Sequence, residues 1–231
     1  SLPELVEPLT QQFPNQKFIL LDAYKSGNQN IATVRYNQKE QSYLTGLIAG
    51  LMSKTHKIGL LAAQEYPVMN NVILPGFTQG AKAADAETSV DFRIVGNWYD
   101  ASKGAELAAA MNSAGCDVIL PICGGASQGV ISAANERGFY ITWFDNNGFE
   151  KAPGRIISST VMKQERMAQE SAAEFLAGKT PWGQARTVGL SQGYIDFIQD
   201  DPLYISTVPQ LIRDKMAQAV AGIKDGTIKL Q

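Results

Sequence analysis

The chain has almost none of the residues from which catalytic triads and metal centres are built. It contains one histidine and two cysteines in 231 residues. A Ser-His-Asp arrangement would have to run through His56, which lies in "SKTHKIG" at a predicted helix end and reads as a solvated C-terminal residue. Cys116 and Cys123 stand at the two ends of one predicted strand. That strand spans roughly 23 Å, whereas a disulfide needs Cα atoms within about 7 Å. They cannot bridge to each other, their spacing makes no zinc site, and they read as buried apolar thiols. No H-E-x-x-H, Walker or G-x-S-x-G pattern occurs. No catalytic residue, metal or cofactor is therefore expected.

Charge of one sign is also missing. Lys plus Arg number 20 against 22 Asp plus Glu, for a net charge of −2, and basic residues never gather beyond a pair. This argues against a nucleic-acid groove. Apolar runs such as Ile58 to Ala63 are too short to span a bilayer. The opening "SLPELVEPLTQQF" has neither the basic region nor the apolar stretch of a signal peptide.

What is present is a regular alternation. Helical spacing is read over 2–12, 39–54, 72–85, 101–115, 127–138, 163–178 and 206–226. Apolar strands are read at "KFILLD", "IATVRY", "KIGLLAA", "VDFRIVGNW", "DVILPIC", "FYITWFD" and "GRIISSTVM", and "RTVGLSQGYIDFIQ" reads as one strand that continues through a bend. Strands alternating with helices mean βαβ units and parallel sheets, and strands apolar throughout mean both faces are covered. The expected class is α/β, and 45% hydrophobic residues are ample for one large domain or two lobes.

In such sheets ligands bind beyond the carboxyl ends of the strands. Those ends deliver Asp22, the segment Gln64-Glu65-Tyr66, Trp98, Gly124-Gly125, Asp145 and Lys163. The set suits a neutral ligand with a flat face and several hydroxyls: Trp98 to stack, Asp145 to accept from vicinal hydroxyls, Lys163 to donate. Each also has an ordinary alternative. Trp98 can be a packing residue, Asp22 and Asp145 turn formers or caps, and Lys163 a solvated first-turn lysine. The turn "CGGASQG" has the spacing G-G-x-x-x-G, with no Gly-Lys-Ser/Thr ending and no basic residue, so it does not read as a phosphate cradle.

Several segments in order, "EQSYLTGLIAGLMSKTHKIGLLAA", "GFTQGAKAA", "VGNWYDASKG", "GCDVILPICGGASQGVISAANERG" and "IKDGTIKL", resemble the basic-membrane-protein (BMP) family of ABC-transporter substrate-binding lipoproteins, of the purine nucleoside receptor type. The resemblance implies a type I periplasmic-binding-protein-like fold with two Rossmann-like lobes and three crossovers, here near Thr55–Ile58, Gly154–Ser159 and Gly189–Gln192. Residues 1–56 plus 155–231 would form the N-terminal lobe and 57–154 the C-terminal lobe. It implies a protein that is not an enzyme. It would close on a purine nucleoside or related small molecule between its lobes and then dock on an ABC permease. It also implies an exported protein, periplasmic or lipid-anchored on the outer face of the cytoplasmic membrane. Trp98 would stack on the base, Asp145 hold the ribose hydroxyls, Lys163 reach the ligand and Asp22 contact the base, while Gly124 and Gly125 would let backbone approach it. The family's opening segment, with its D-x-S-F-N-like motif and second stacking aromatic, is not among these residues. The first lobe is therefore expected to be N-terminally truncated, with a missing segment or another subunit completing it. Two rivals stand beside this reading: a sensory or regulatory ligand-binding protein of the same fold, and a nucleoside- or sugar-processing enzyme.

Overall fold

The computed structural model describes residues 2–230. The chain folds as two compact units, Ser1–Asn37 with Met162–Ile195, and Gln38–Val161 with Asp196–Gln231. The sequence reading draws its lobe boundaries at 56/57 and 154/155. The compact units divide at 37/38, 161/162 and 195/196, and α2 (Gln38–Met52) and α8 (Gln210–Lys224) pack on one another within the larger unit.

The smaller unit carries helix α1 (Leu2–Gln12) and a three-stranded sheet of β1 (Phe18–Leu21), β2 (Ile31–Tyr36) and β8 (Ala185–Val188), in the order β1-β2-β8 and parallel throughout. Val6 of α1 packs with Leu20, Ala23 and Ile31 to form its core, with Phe18 against them. Helix α6 (Gln164–Leu176) lies on β1.

The larger unit is built on a six-stranded sheet ordered β4-β3-β5-β6-β7-β9. Its strands are β3 (Lys57–Ala62), β4 (Ser89–Ile94), β5 (Val118–Ile122), β6 (Tyr140–Trp143), β7 (Ile156–Met162) and β9 (Ile195–Phe197). The pairs from β4 to β7 are parallel. Ile58, Leu60, Leu61, Val118, Ile119, Leu120 and Ile141 are fully buried, as expected of strands covered on both faces. Helices α2 and α3 (Leu74–Ala84) pack together, as do α4 (Ala101–Ser113) and α5 (Ser127–Arg137). The α2–α3 contact is backbone to backbone: a Cβ on Gly46 would lie 2.0 Å from the Phe77 carbonyl oxygen, and one on Gly80 2.0 Å from that of Tyr43. Leu44, Ile48 and Ala49 of α2 are wholly buried, so the helix is packed on nearly all sides.

Two elements depart from the sequence reading. The expected strand "RTVGLSQGYIDFIQ" is two strands in different sheets, β8 and β9. The turn between them is made by Gly193 at φ 74° and by the Gln192 side chain, which accepts from the Gly189 N–H at 2.8 Å. The last helix, expected over 206–226, begins only at Gln210 as α8, after a separate short helix α7 (Pro202–Thr207), because Pro209 holds Val208 extended at φ −98°, ψ 126°. The helix expected over 72–85 opens with a wider π-turn at Met69–Ile73, in which the Leu74 N–H donates to the Met69 carbonyl, and Pro75 falls directly after it in the first turn of α3. His56 is an exposed residue whose Nδ1 lies 2.5 Å from Asp85 Oδ2, a surface pair rather than part of a catalytic arrangement.

Candidate functional site

Strand order marks a candidate ligand edge on the larger unit. From β3 the chain runs out to β4 and then returns across β3 to β5, so its direction reverses between β3 and β5. Such a switch point opens a crevice beyond the carboxyl ends of the strands. Trp98 follows β4 there. The β3–β4 ladder is prolonged by Val95 and Gly96 donating to the Ala62 and Ala63 carbonyls, both near 2.9 Å. The Asn97 carboxamide oxygen then accepts from the Tyr99 and Asp100 N–H groups at 3.0 and 2.8 Å. Asp100 in turn caps α4 by accepting from Lys103 N–H at 2.9 Å. The loop is braced while its aromatic residues stay open: Trp98 is 41% and Tyr99 80% exposed. Tyr66, from the loop after β3, is tilted against Trp98 with ring centroids 6.3 Å apart.

The glycine turn is the seat of that loop. Gly124 has φ 57°, and a Cβ there would lie 2.8 Å from the Trp98 carbonyl oxygen and 3.4 Å from the indole. The Gly125 N–H donates to the same carbonyl at 2.7 Å. The third glycine of the motif, Gly129, serves helix packing: its Cβ would fall 1.8 Å from the Ala101 carbonyl oxygen of α4. Gly124 and Gly129 of "CGGASQG" thus lie at close backbone approaches within the unit. The buried Cys123 thiol lies 3.4 Å from Ser127 Oγ, and burial raises its pKa.

Asp145 follows β6, partly buried and in left-handed backbone at φ 75°, which non-glycine residues seldom adopt. Its neighbours carry the turn chemistry. The Asn146 carboxamide oxygen accepts from Trp143 Nε1 at 3.0 Å, that of Asn147 from Phe149 N–H at 3.1 Å, and Ser159 Oγ accepts from Gly148 N–H at 3.0 Å. The Asp145 carboxylate receives Gln41 Nε2 from helix α2 at 3.1 Å. Trp98, Gly124, Gly125 and Asp145 therefore all lie past the carboxyl ends of the sheet in one unit.

The other two candidates belong to the smaller unit. Asp22 ends β1 at φ 53°. Desolvation raises its pKa although the residue has an open face, and a hydrogen bond from the Tyr36 backbone opposes the rise. Lys163 is exposed at the start of α6 and donates its backbone N–H to the Tyr194 carbonyl at 2.8 Å. Among the described residues no group of His, Cys, Asp and Glu could hold a metal, and no helix is long and apolar enough to cross a membrane.

A family model for ABC transporter substrate-binding proteins, PnrA-like, matches residues 1–226. The chain belongs to this family. Among its relatives is the ABC transporter nucleoside-binding protein BmpA of Lactococcus lactis, 26% identical over 99% of this chain and 68% of the relative. A solved transcriptional activator of the comK gene from Bacillus halodurans superposes with a TM-score of 0.82 at 23% identity, over 100% of this chain and 77% of that one. An ABC transporter solute-binding protein from Aeropyrum pernix gives 0.80 at 19%, over 99% and 74%. The fold is thus the type I periplasmic-binding-like α/β fold. Membership of the PnrA-like family makes this an ABC transporter substrate-binding protein, which implies a small-molecule ligand, a permease partner and export.

Sequence reasoning named Tyr66 only as a strand-end residue and missed Gln41 altogether. The signal for Gln41 was a polar residue within a helix whose other faces read as apolar. The signal for Tyr66 was its place one strand over from Trp98.

Proposed function

We propose that this PnrA-like protein binds a purine nucleoside at the carboxyl edge of its six-stranded sheet. Trp98 stacks on the base, Asp145 accepts from the ribose hydroxyls, and the Gly124-Gly125 turn brings backbone close to the ligand. The observation that carries this reading is an indole left open at the switch point, on a loop braced from beneath by the glycine turn and from the side by Asn97. A ring held in this way offers an apolar face at little further entropic cost. The nucleoside-binding Lactococcus relative supports the choice of ligand. Asp22 and Lys163 enter the proposal through the family resemblance alone. No bond of the ligand is made or broken, and the protein acts outside the cytoplasmic membrane, periplasmic or lipid-anchored.

The test is calorimetric titration with adenosine, guanosine and inosine, with chromatography of the mixture for free base. Saturable binding without product is expected. No heat at millimolar nucleoside would sink the proposal, and release of free base would establish an enzyme. A second reading, a regulatory ligand-binding protein, is favoured by the superposition on the comK activator. It predicts nucleoside binding with no dependence of nucleoside uptake on the protein in cells.

A further inference from the structure

Helix α2 buries two kinds of polar side chain. Ser42 and Thr45 return their hydroxyls to carbonyls of their own helix, Gln38 at 2.7 Å and Gln41 at 2.8 Å. Gln41, with no exposed surface, instead sends its amide to a residue 104 positions away, Asp145. A carboxylate only accepts, so the amide nitrogen must face it. This leaves Gln41 Oε1 buried without a hydrogen-bond partner. An orphaned buried carbonyl is costly, and an apolar residue of the same shape would avoid that cost. The residue it holds is itself in left-handed backbone. Two unfavourable features therefore converge on one carboxylate at the sheet edge, the pattern expected where geometry is kept for binding.

We infer that Gln41 is a positioning residue that fixes the plane of the Asp145 carboxylate, so that it discriminates ligands bearing vicinal hydroxyls from those lacking them. A neutral amide suits this task. It anchors the carboxylate by a charge-assisted bond and brings no positive charge of its own against it. The inference rests on the nucleoside reading above.

The test compares wild type with Gln41→Met, an apolar residue of similar length, on each ribonucleoside and its 2′,3′-dideoxy counterpart. The variant's melting temperature should equal or exceed that of wild type, since the orphaned carbonyl is gone. Its ribonucleoside affinity should fall about tenfold, the scale of one hydrogen bond to a charged group. Its dideoxynucleoside affinity should move less than about threefold, so that discrimination collapses. Equal losses for both ligand classes would reduce Gln41 to a structural role and overturn the inference, as would unchanged affinity for both. Wild-type protein that binds the ribonucleosides without preferring them over the dideoxy forms overturns it too. Wild-type protein that binds no ribonucleoside overturns the nucleoside reading, and this inference with it. If Gln41→Met does not fold, Gln41→Leu and Gln41→Glu are measured in the same way. Glutamate sets a second carboxylate against Asp145 and should lose ribonucleoside affinity at least as strongly.

Discussion

The two adjacent glycines of the sheet-edge turn should respond to the same substitution in opposite ways. Gly124 lies at φ 57° with the Trp98 carbonyl oxygen 2.8 Å from where a Cβ would stand. Left-handed backbone costs an alanine roughly 1–2 kcal/mol. An ordinary C–H···O separation is about 3.3 Å, so the Trp98 carbonyl must retreat by about half an ångström. That carbonyl also accepts the Gly125 N–H at 2.7 Å, so the retreat strains a hydrogen bond. Forced shifts of this kind add about 1–3 kcal/mol. Gly124→Ala should therefore lose about 2–5 kcal/mol. It should also alter Trp98 emission and, on the proposed function, weaken nucleoside binding, because the displaced backbone is that of the residue proposed to stack. At Gly125 the nearest atoms to a Cβ are at 3.4 and 3.5 Å, ordinary contact distances. An alanine there also restricts the unfolded chain, worth about 0.5–1 kcal/mol of stability. Gly125→Ala should fold with unchanged or higher stability. Urea denaturation followed by far-UV circular dichroism, with matching m-values, measures both. A Gly124→Ala protein within 0.5 kcal/mol of wild type, or a Gly125→Ala protein less stable than Gly124→Ala, would refute the claim that Gly124 seats the Trp98 loop.

Replacing Trp98 with alanine should weaken nucleoside binding by about 1–3 kcal/mol, the usual worth of stacking on a base. Calorimetry showing unchanged affinity would remove Trp98 from the site. Asp22→Asn should raise the melting temperature at neutral pH. With its folded pKa above 3.8, the folded protein holds that proton more tightly than the unfolded chain does. Ionisation therefore costs stability, increasingly as pH rises through the folded value, and the variant's advantage should vanish below the unfolded value of 3.8. Solvent at the open face keeps the gain under about 1 kcal/mol, and asparagine tolerates the left-handed backbone. A lower melting temperature at pH 7 would contradict the desolvation argument. Cys116 and Cys123 are buried, and desolvation pushes the Cys116 thiol to about 11. Neither should react with a disulfide reagent at pH 8 until the protein is unfolded in guanidinium. Labelling of the native protein within the mixing time would show that they are accessible.

Most of the fold was legible because its signals are local. Uninterrupted apolar strands such as "KIGLLAA" and "DVILPI" announce a doubly covered parallel sheet. Where reading failed, a long-range consequence depended on one residue. Pro209 delays the start of a helix that periodicity alone would begin at 206, and the turn at Gly193 sends one apolar run into two sheets. The site divides in the same way. Trp98, Gly124 and Asp145 can be named as candidates because strand ends are legible. The reason Gly124 is glycine is not, because the atom it must avoid belongs to residue 98, across a strand order that sequence does not print. Sequence reading gave that glycine to the ligand, whereas the structure gives it first to Trp98. The two uses are sequential. A backbone that lets the tryptophan loop settle onto it is also what leaves the indole face open at the sheet edge, so side-chain bulk at 124 would harm binding even for a ligand that never touches that residue. Gln41 follows the same logic from the other side: its partner is distant in sequence, and its value lies in what it does to that partner.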